Sequence, residues 1–363
     1  MPAVVGSGAV ARRSRDLALD LLRGYFLVVI MIDHLRFKVN PLYLISGKQS
    51  LWVTAAEGFV LISGFLVGML RGDEARSAGW ATAARHIWRR AAVLALWSAL
   101  LTIVFRAVSA ETGYWPDVPN ADATGSLLDY ALGAVVLRKT YGDHNLLAAY
   151  ALFLAVSPLA IAAMLRGLTW LVLAASTALW AVAYATNLVW SNSVQADLCW
   201  QLLFLVGVAI GFHHDTLARR WRALPAGTRR AVAIAAALGS LVIVVGSLLR
   251  LPGHGGYPTH LENLIFDRNR MGPARLLCAL VLVGSMYALV RRFEAQLVPT
   301  IGKLLVPLGQ ASLYVYIMQS MLTFVLVDRL LGNPWLAAGA SAAMVGFVWL
   351  MVKHRVLFRV IPR

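Results

Sequence analysis

The sequence predicts an all-α, polytopic integral membrane protein of about ten transmembrane helices, with both termini in the cytoplasm. Three observations predict it. Of the 363 residues, 60% are hydrophobic and only 14% charged, and mean hydropathy is +0.70. A soluble domain of this size has no means of burying that much apolar surface. Apolar runs near the length needed to cross hydrocarbon, about 20 residues, recur along the chain. The arginines gather at alternate ends of those runs, as the positive-inside rule requires of cytoplasmic loops.

The spans run near 17–35, 51–70, 88–107, 146–165, 168–187, 199–212, 231–249, 272–290, 304–327 and 335–352. A further apolar run, 126–137, is too short to cross and reads as interfacial or re-entrant. Counted this way, one side of the membrane receives Arg12, Arg13 and Arg15, then Arg71, Arg76, Arg85, Arg89 and Arg90, then Arg166. It also receives the basic loops around 219–230 and 291–303 and the tail from Lys353 to Arg363. The opposite loops carry Glu111, Asp117, Asp122, Asp129 and Asp197. The chain divides into a basic cytoplasmic segment (1–16), a single transmembrane domain (17–353) and a short basic tail at the inner leaflet (354–363).

Several classes are excluded. The net charge of +16 suggests nucleic acid, but that needs a basic stripe on a soluble face; here orientation in lipid accounts for the arginines. "ARRSRD" before an apolar run mimics a signal peptide, yet Asp20 and Arg23 lie inside that run and no small-residue cleavage site follows, so it reads as a retained helix. Cys199 and Cys278 are far apart and in apolar runs, without metal-ligand spacing. No internal repeat supports an inverted-repeat transporter. Lipid-facing helices carry no signal of oligomeric state.

Charged groups inside hydrocarbon are costly, so each needs a reason. In "RDLALDLLRGYFLVVIMIDHLRF" Asp20 and Arg23 lie near the inner end of the first span, and Asp33 and His34 near its outer end. The i, i+3 spacing of Asp20 and Arg23 permits an intrahelical pair; alternatively Arg23 grips an anion in an inner cavity. His34 is a candidate general base, oriented by Asp33 or another carboxylate. "AAEGFVLISGFLVG" places Glu57 in the outer half of the second span with no basic residue nearby in sequence, about 9 Å below the helix end. It reads as a second member of an outward-facing pocket with His34. Gly58, Gly64 and Gly68, with Ser63 among them, suit close helix packing.

On the inner side "RHIWRRAAVL" brings Arg85, Arg89 and Arg90 to the start of the third span. They are either orientation signals or a dock for a phosphorylated co-substrate, since guanidinium forks match phosphate oxygens. Arg275, about one turn into the eighth span, suits an anionic substrate group or a pair with Glu57 or Asp33. Gln201, beside Trp200, stands at an outer helix end. Tyr141, Asp143, His144 and Asn145 in one outer loop, and His260, Glu262, Asp267, Arg268 and Arg270 in another, are further polar candidates.

Five stretches together, "LALDLLRGYFLVVIMIDHL", "AAEGFVLISGFLVGM", "WQLLFLVGVAIG", "GPARLL" and "LGQASLYVYIMQ", resemble, in that order, the OpgC proteins, succinyltransferases of osmoregulated periplasmic glucans. The wider group is the ten-helix membrane acyltransferases. The resemblance implies a bacterial inner-membrane enzyme with a cytoplasmic acyl-CoA donor, succinyl-CoA before acetyl-CoA, and an extracytoplasmic glycan acceptor, with no metal. On this reading Arg23, Arg85, Arg89 and Arg90 hold the CoA, and His34 activates a sugar hydroxyl with Asp33 or Glu57 orienting it. Arg275, Gln201 or Ser63 meets the oxyanion, and Arg275 meets a succinyl carboxylate. Members of the wider group often place a His elsewhere too; this chain has Gln319 in "YIMQS", so no second base is expected there. The rival reading is a transporter or flippase of an anionic or lipid-linked glycan.

Overall fold

The structure, a computed structural model, describes residues 16–48, 50–114, 126–141, 145–186, 192–249, 264–326 and 333–361. Among them it is all helical, without strands. The helices are α1 (Leu17–His34), α2 (Tyr43–Ser46), α3 (Ala55–Ala78), α4 (Trp80–Thr112), α5 (Leu127–Val135), α6 (Asn145–Leu165), α7 (Thr169–Ala185) and α8 (Asn192–Phe212). They continue with α9 (His214–Ala223), α10 (Ala226–Leu248), α11 (Pro273–Arg292), α12 (Glu294–Leu297), α13 (Gly302–Gln310), α14 (Ser312–Leu326) and α15 (Pro334–Lys353). Seven of the described helices, α3, α4, α6, α8, α10, α11 and α15, are long and apolar enough to cross a membrane. The chain is a multi-pass membrane protein. The run at 126–137 becomes α5, nine residues long, with Leu128 and Leu132 exposed and too short to span. Residues 1–15, most of the basic N-terminal segment, lie outside the described residues.

Two expectations change. The arginine-rich segment between the second and third spans is not a loop. α3 continues to Ala78 and α4 starts at Trp80, so only Gly79, at φ 88°, separates them. The 33-residue α4 is about 50 Å long, well beyond the roughly 30 Å of hydrocarbon, and helix-favouring alanines carry it past the membrane. His86 of α4 meets Glu74 of α3 (2.6 Å) across the hairpin, and Arg71, one turn back on α3, holds the same carboxylate (2.6 Å). The ninth span is broken at Ala311 into α13 and α14. Pro307 lacks the N–H that its position in α13 would use, and the chain turns one residue after Gln310.

Glycines bring the central helices together. Any Cβ on Gly64 or Gly68 of α3 would lie 2.2 Å or 2.0 Å from the carbonyl oxygens of Phe204 and Val208 on α8. Gly207 and Gly211 of α8 meet Leu61 and Phe65 of α3 in the same way. α1 and α13 repeat the device, with Gly24 against the Leu305 carbonyl and Gly309 against that of Asp20. Lipid tails give helices no hydrophobic reason to associate, so backbone contact through small residues supplies the packing. Gly58 accommodates the Phe26 ring of α1, which fixes α1 beside α3.

Candidate active site along the first helix and the broken helix

The N-terminal half of α1 meets the break at Ala311. Arg23 donates through Nη2 to Ser312 Oγ, at the first residue of α14. Gln310, the last residue of α13, donates to Asp20 Oδ2 at 3.1 Å. The two charges that the sequence paired with each other thus both reach the LGQAS segment. Beside it lies a small cleft. Arg90 and Ser312 supply its polar rim, and Phe59, Leu94, Leu147, Tyr150 and Tyr316 line its walls. Of the four candidate phosphate ligands, the structure brings Arg23 and Arg90 to this region. Arg85 and Arg89 are exposed on α4.

At the C-terminal end of α1, His34 Nδ1 lies 3.4 Å from the amide Nε2 of Gln319 on α14. Asp33 points elsewhere: it accepts from Ser46, and Lys48 and Arg268 are the cations that act on it. Tyr43 completes this end of the site. Its hydroxyl donates to the Phe37 carbonyl at 2.9 Å and accepts from Lys48 Nζ at 2.8 Å. Burial, then the charge of Asp33, pushes its pKa up to about 12, so it stays protonated.

One helix face joins the two ends. Ser312, Tyr316, Gln319 and Thr323 follow i, i+4, i+7, i+11 spacing, which puts them in one row on α14. All four are buried. The row begins at the Arg23 contact, passes the cleft at Tyr316 and reaches His34 at Gln319. On α1 the two ends are Arg23 and His34, 11 positions apart, about 16 Å along the axis.

Glu57 does not line an open pocket. α3 starts at Ala55, so Glu57 is in its first turn rather than deep in the helix. Its Oε2 accepts from the Thr54 N–H (2.9 Å) and hydroxyl (2.5 Å), completing a capping box. Its Oε1 accepts from Arg275 Nε at 2.5 Å. Both side chains are buried, at 0% and 6% exposure. Of the alternatives for Arg275, the structure selects the pair with Glu57. Gln201 is likewise engaged: it accepts from Ser176 Oγ (2.7 Å) and donates to the Ser176 carbonyl (2.9 Å), clamping α8 to α7. Ser63 is buried on α3.

Sequence reasoning missed Ser312, Gln310 and Thr54, and set Gln319 aside. Only Thr54 had a local signal, the T-x-x-E spacing to Glu57. Tyr141 is buried and donates to Ser109 Oγ at 2.8 Å, a core contact. Asp143, His144, His260 and Glu262 lie outside the described residues. Cys199 and Cys278 are free and buried.

No curated protein and no solved structure matches the chain. The family model of the OpgC protein matches residues 15–359, from the cap of α1 to the tail, and so takes in every element of this site. The chain belongs to the OpgC protein family.

Proposed function

We propose that the protein is a membrane O-acyltransferase that moves an acyl group, succinyl in preference to acetyl, from cytoplasmic acyl-CoA to a hydroxyl of a periplasmic glucan. Family membership supports an acyltransferase-like role on glucans. The observation that carries the transmembrane mechanism is the buried polar row of α14, which meets Arg23 at one end and His34 at the other. With α1, α7 and the α13–α14 pair added to the seven long helices, the chain crosses a bacterial inner membrane ten times. Both termini are then cytoplasmic and the arginine-rich ends face the CoA pool.

CoA phosphates meet Arg23 and Arg90, with Arg85 and Arg89 at the entrance. The pantetheine arm follows the cleft and the Ser312–Tyr316 face toward His34. His34 takes the proton of a glucan hydroxyl as its oxygen attacks the thioester carbonyl. Ser63 is the remaining candidate donor to the oxyanion, because Arg275 and Gln201 have protein partners. The C–S bond breaks and the imidazolium returns its proton to the leaving thiolate, giving acylated glucan and free CoA. Glu57 and Arg275 neutralise one another, so the preference for succinyl rests on the family.

The test is transfer from radiolabelled succinyl-CoA and acetyl-CoA by purified protein in liposomes, with glucan inside or outside. Label on glucan across the bilayer from the donor is expected, strongest with succinyl-CoA. His34→Ala abolishes it while leaving expression and thermal stabilisation by CoA intact. Normal turnover by His34→Ala sinks the mechanism, and absence of CoA binding favours a transporter.

A further inference from the structure

Gln319 has no titratable proton and is no base, yet it is completely buried and its amide meets the ring of His34. A buried side-chain amide ordinarily satisfies both ends. Here the end turned to His34 has a partner and the other, Oε1, has none. No donor therefore holds the amide in one sense. Turning it by half a rotation breaks one contact, that to His34, and remakes it with opposite polarity. The protonation of the imidazole decides which end faces it. A ring with a bare Nδ1 takes the amide NH2; a ring carrying Nδ1–H takes the carbonyl oxygen. When His34 has accepted a proton both ring nitrogens are donors, and only the carbonyl oxygen fits Nδ1.

We infer that Gln319 is the positioning residue of His34: in the reacting state its Oε1 accepts the Nδ1–H hydrogen bond, which leaves Nε2 bare to receive the hydroxyl proton. This rests on the reading of His34 as general base. It also assigns the orienting role to a neutral amide on α14 rather than to Asp33, which is turned to Ser46, or to Glu57, which is bound to Thr54 and Arg275. Charged groups already stand around the outer end of α1, among them Asp33, Lys48 and Arg268, with Arg36 and Lys38 just beyond it in the chain. A neutral partner orients the ring without adding a further charge to that group, so the imidazole remains free to cycle its proton.

The experiment uses the full chain in nanodiscs, labelled with ¹⁵N-histidine. The His34 signal is identified by its loss in His34→Ala. At neutral pH, wild type is expected to show Nδ1 protonated and Nε2 bare. Gln319→Met keeps the volume and removes the acceptor; it should return His34 to a mixture of tautomers and lower kcat on the order of 10- to 100-fold, with the donor KM unchanged. Gln319→Glu restores an acceptor but adds a charge that favours the imidazolium, so transfer returns with the acid limb of the pH–rate profile moved about one unit higher. That movement separates positioning from mere packing. An unaltered His34 signal and wild-type kcat in Gln319→Met overturn the inference. So does a wild-type His34 with Nδ1 bare. If the tautomer follows Gln319 but His34→Ala still transfers acyl groups, the contact stands and the base assignment is what fails.

Discussion

Arg275 Nε donates to Glu57 Oε1 at 2.5 Å, joining two residues 218 positions apart in a pair that is almost completely withdrawn from solvent. The pair fixes the start of α11 to the start of α3, where Thr54 adds two further hydrogen bonds to the same carboxylate. Each charge neutralises the other. The two intramembrane charges that looked most functional therefore serve as a joint between helices.

Removing one partner leaves the other charge buried and alone, which costs about 3–5 kcal/mol. Glu57→Gln and Arg275→Met are each expected to lower the thermal midpoint of the protein in nanodiscs sharply. The double variant should recover most of the loss, since the uncompensated charge is gone, and it should keep acyl transfer. A double variant as stable as wild type but inactive would return Glu57 or Arg275 to the reaction.

The α3–α8 contact makes a second, more local prediction. Gly68→Ala and Gly211→Ala place a methyl 2.0 Å and 1.9 Å from backbone carbonyl oxygens, which have no rotamer to move into. Overpacking of this kind costs roughly 1–3 kcal/mol each. Gly284→Ala on α11 and Gly339→Ala on α15 meet nothing within 4 Å. They should be neutral or slightly stabilising, because Ala favours a helix over Gly by about 0.5–1 kcal/mol. Melting the four variants side by side checks the contrast; equal losses would contradict the packing argument.

A third prediction concerns pH. His213, between α8 and α9, accepts or donates a hydrogen bond with Thr169 Oγ1 at 2.8 Å. Burial, and then the charges of Arg76 and Arg220, hold its pKa below the ordinary 6.5. The folded protein thus binds this proton less readily than the unfolded chain. The stability it contributes is present above 6.5 and is lost as pH falls below it. Melting curves from pH 7.5 to 5 should show a decline in wild type that is shallower in His213→Asn. A parallel decline in both would assign the acid sensitivity to other groups.

What the sequence disclosed divides by range. Each of the ten apolar runs has a helix under it, because hydropathy is local and a span declares itself over about 20 residues. The capping box of Thr54 and Glu57 was equally local and readable as T-x-x-E, and it accounts for half of what Glu57 does. The other half, Arg275, comes from across the fold and no spacing announces it. The break at Ala311 lay inside one apolar run, and that Arg23 and Asp20 both meet it depends on how α1 crosses α13 at Gly24 and Gly309. Gln319 was set aside because a base was sought there; its contact with His34 is a tertiary fact. The continuous α3–α4 hairpin was hidden because charge was taken as the end of a helix, whereas a charged helix simply leaves the membrane.

The last prediction separates four arginines that the sequence could not rank. Arg90 lines the cleft and Arg23 bonds Ser312 at its rim, while Arg85 and Arg89 are exposed on α4. A charge-assisted hydrogen bond to phosphate contributes roughly 1.5–3 kcal/mol, which corresponds to about 10- to 100-fold in affinity. Arg23→Met and Arg90→Met should weaken CoA binding by that factor, measured by calorimetry or by the CoA dependence of the melting temperature. Arg85→Met and Arg89→Met, in contact with solvent, should lose only a few-fold, and that loss should vanish in high salt because exposed charges are screened. If the ranking is reversed, the phosphates sit on the outer face of α4, and the cleft beside Ser312 does not carry the donor toward His34.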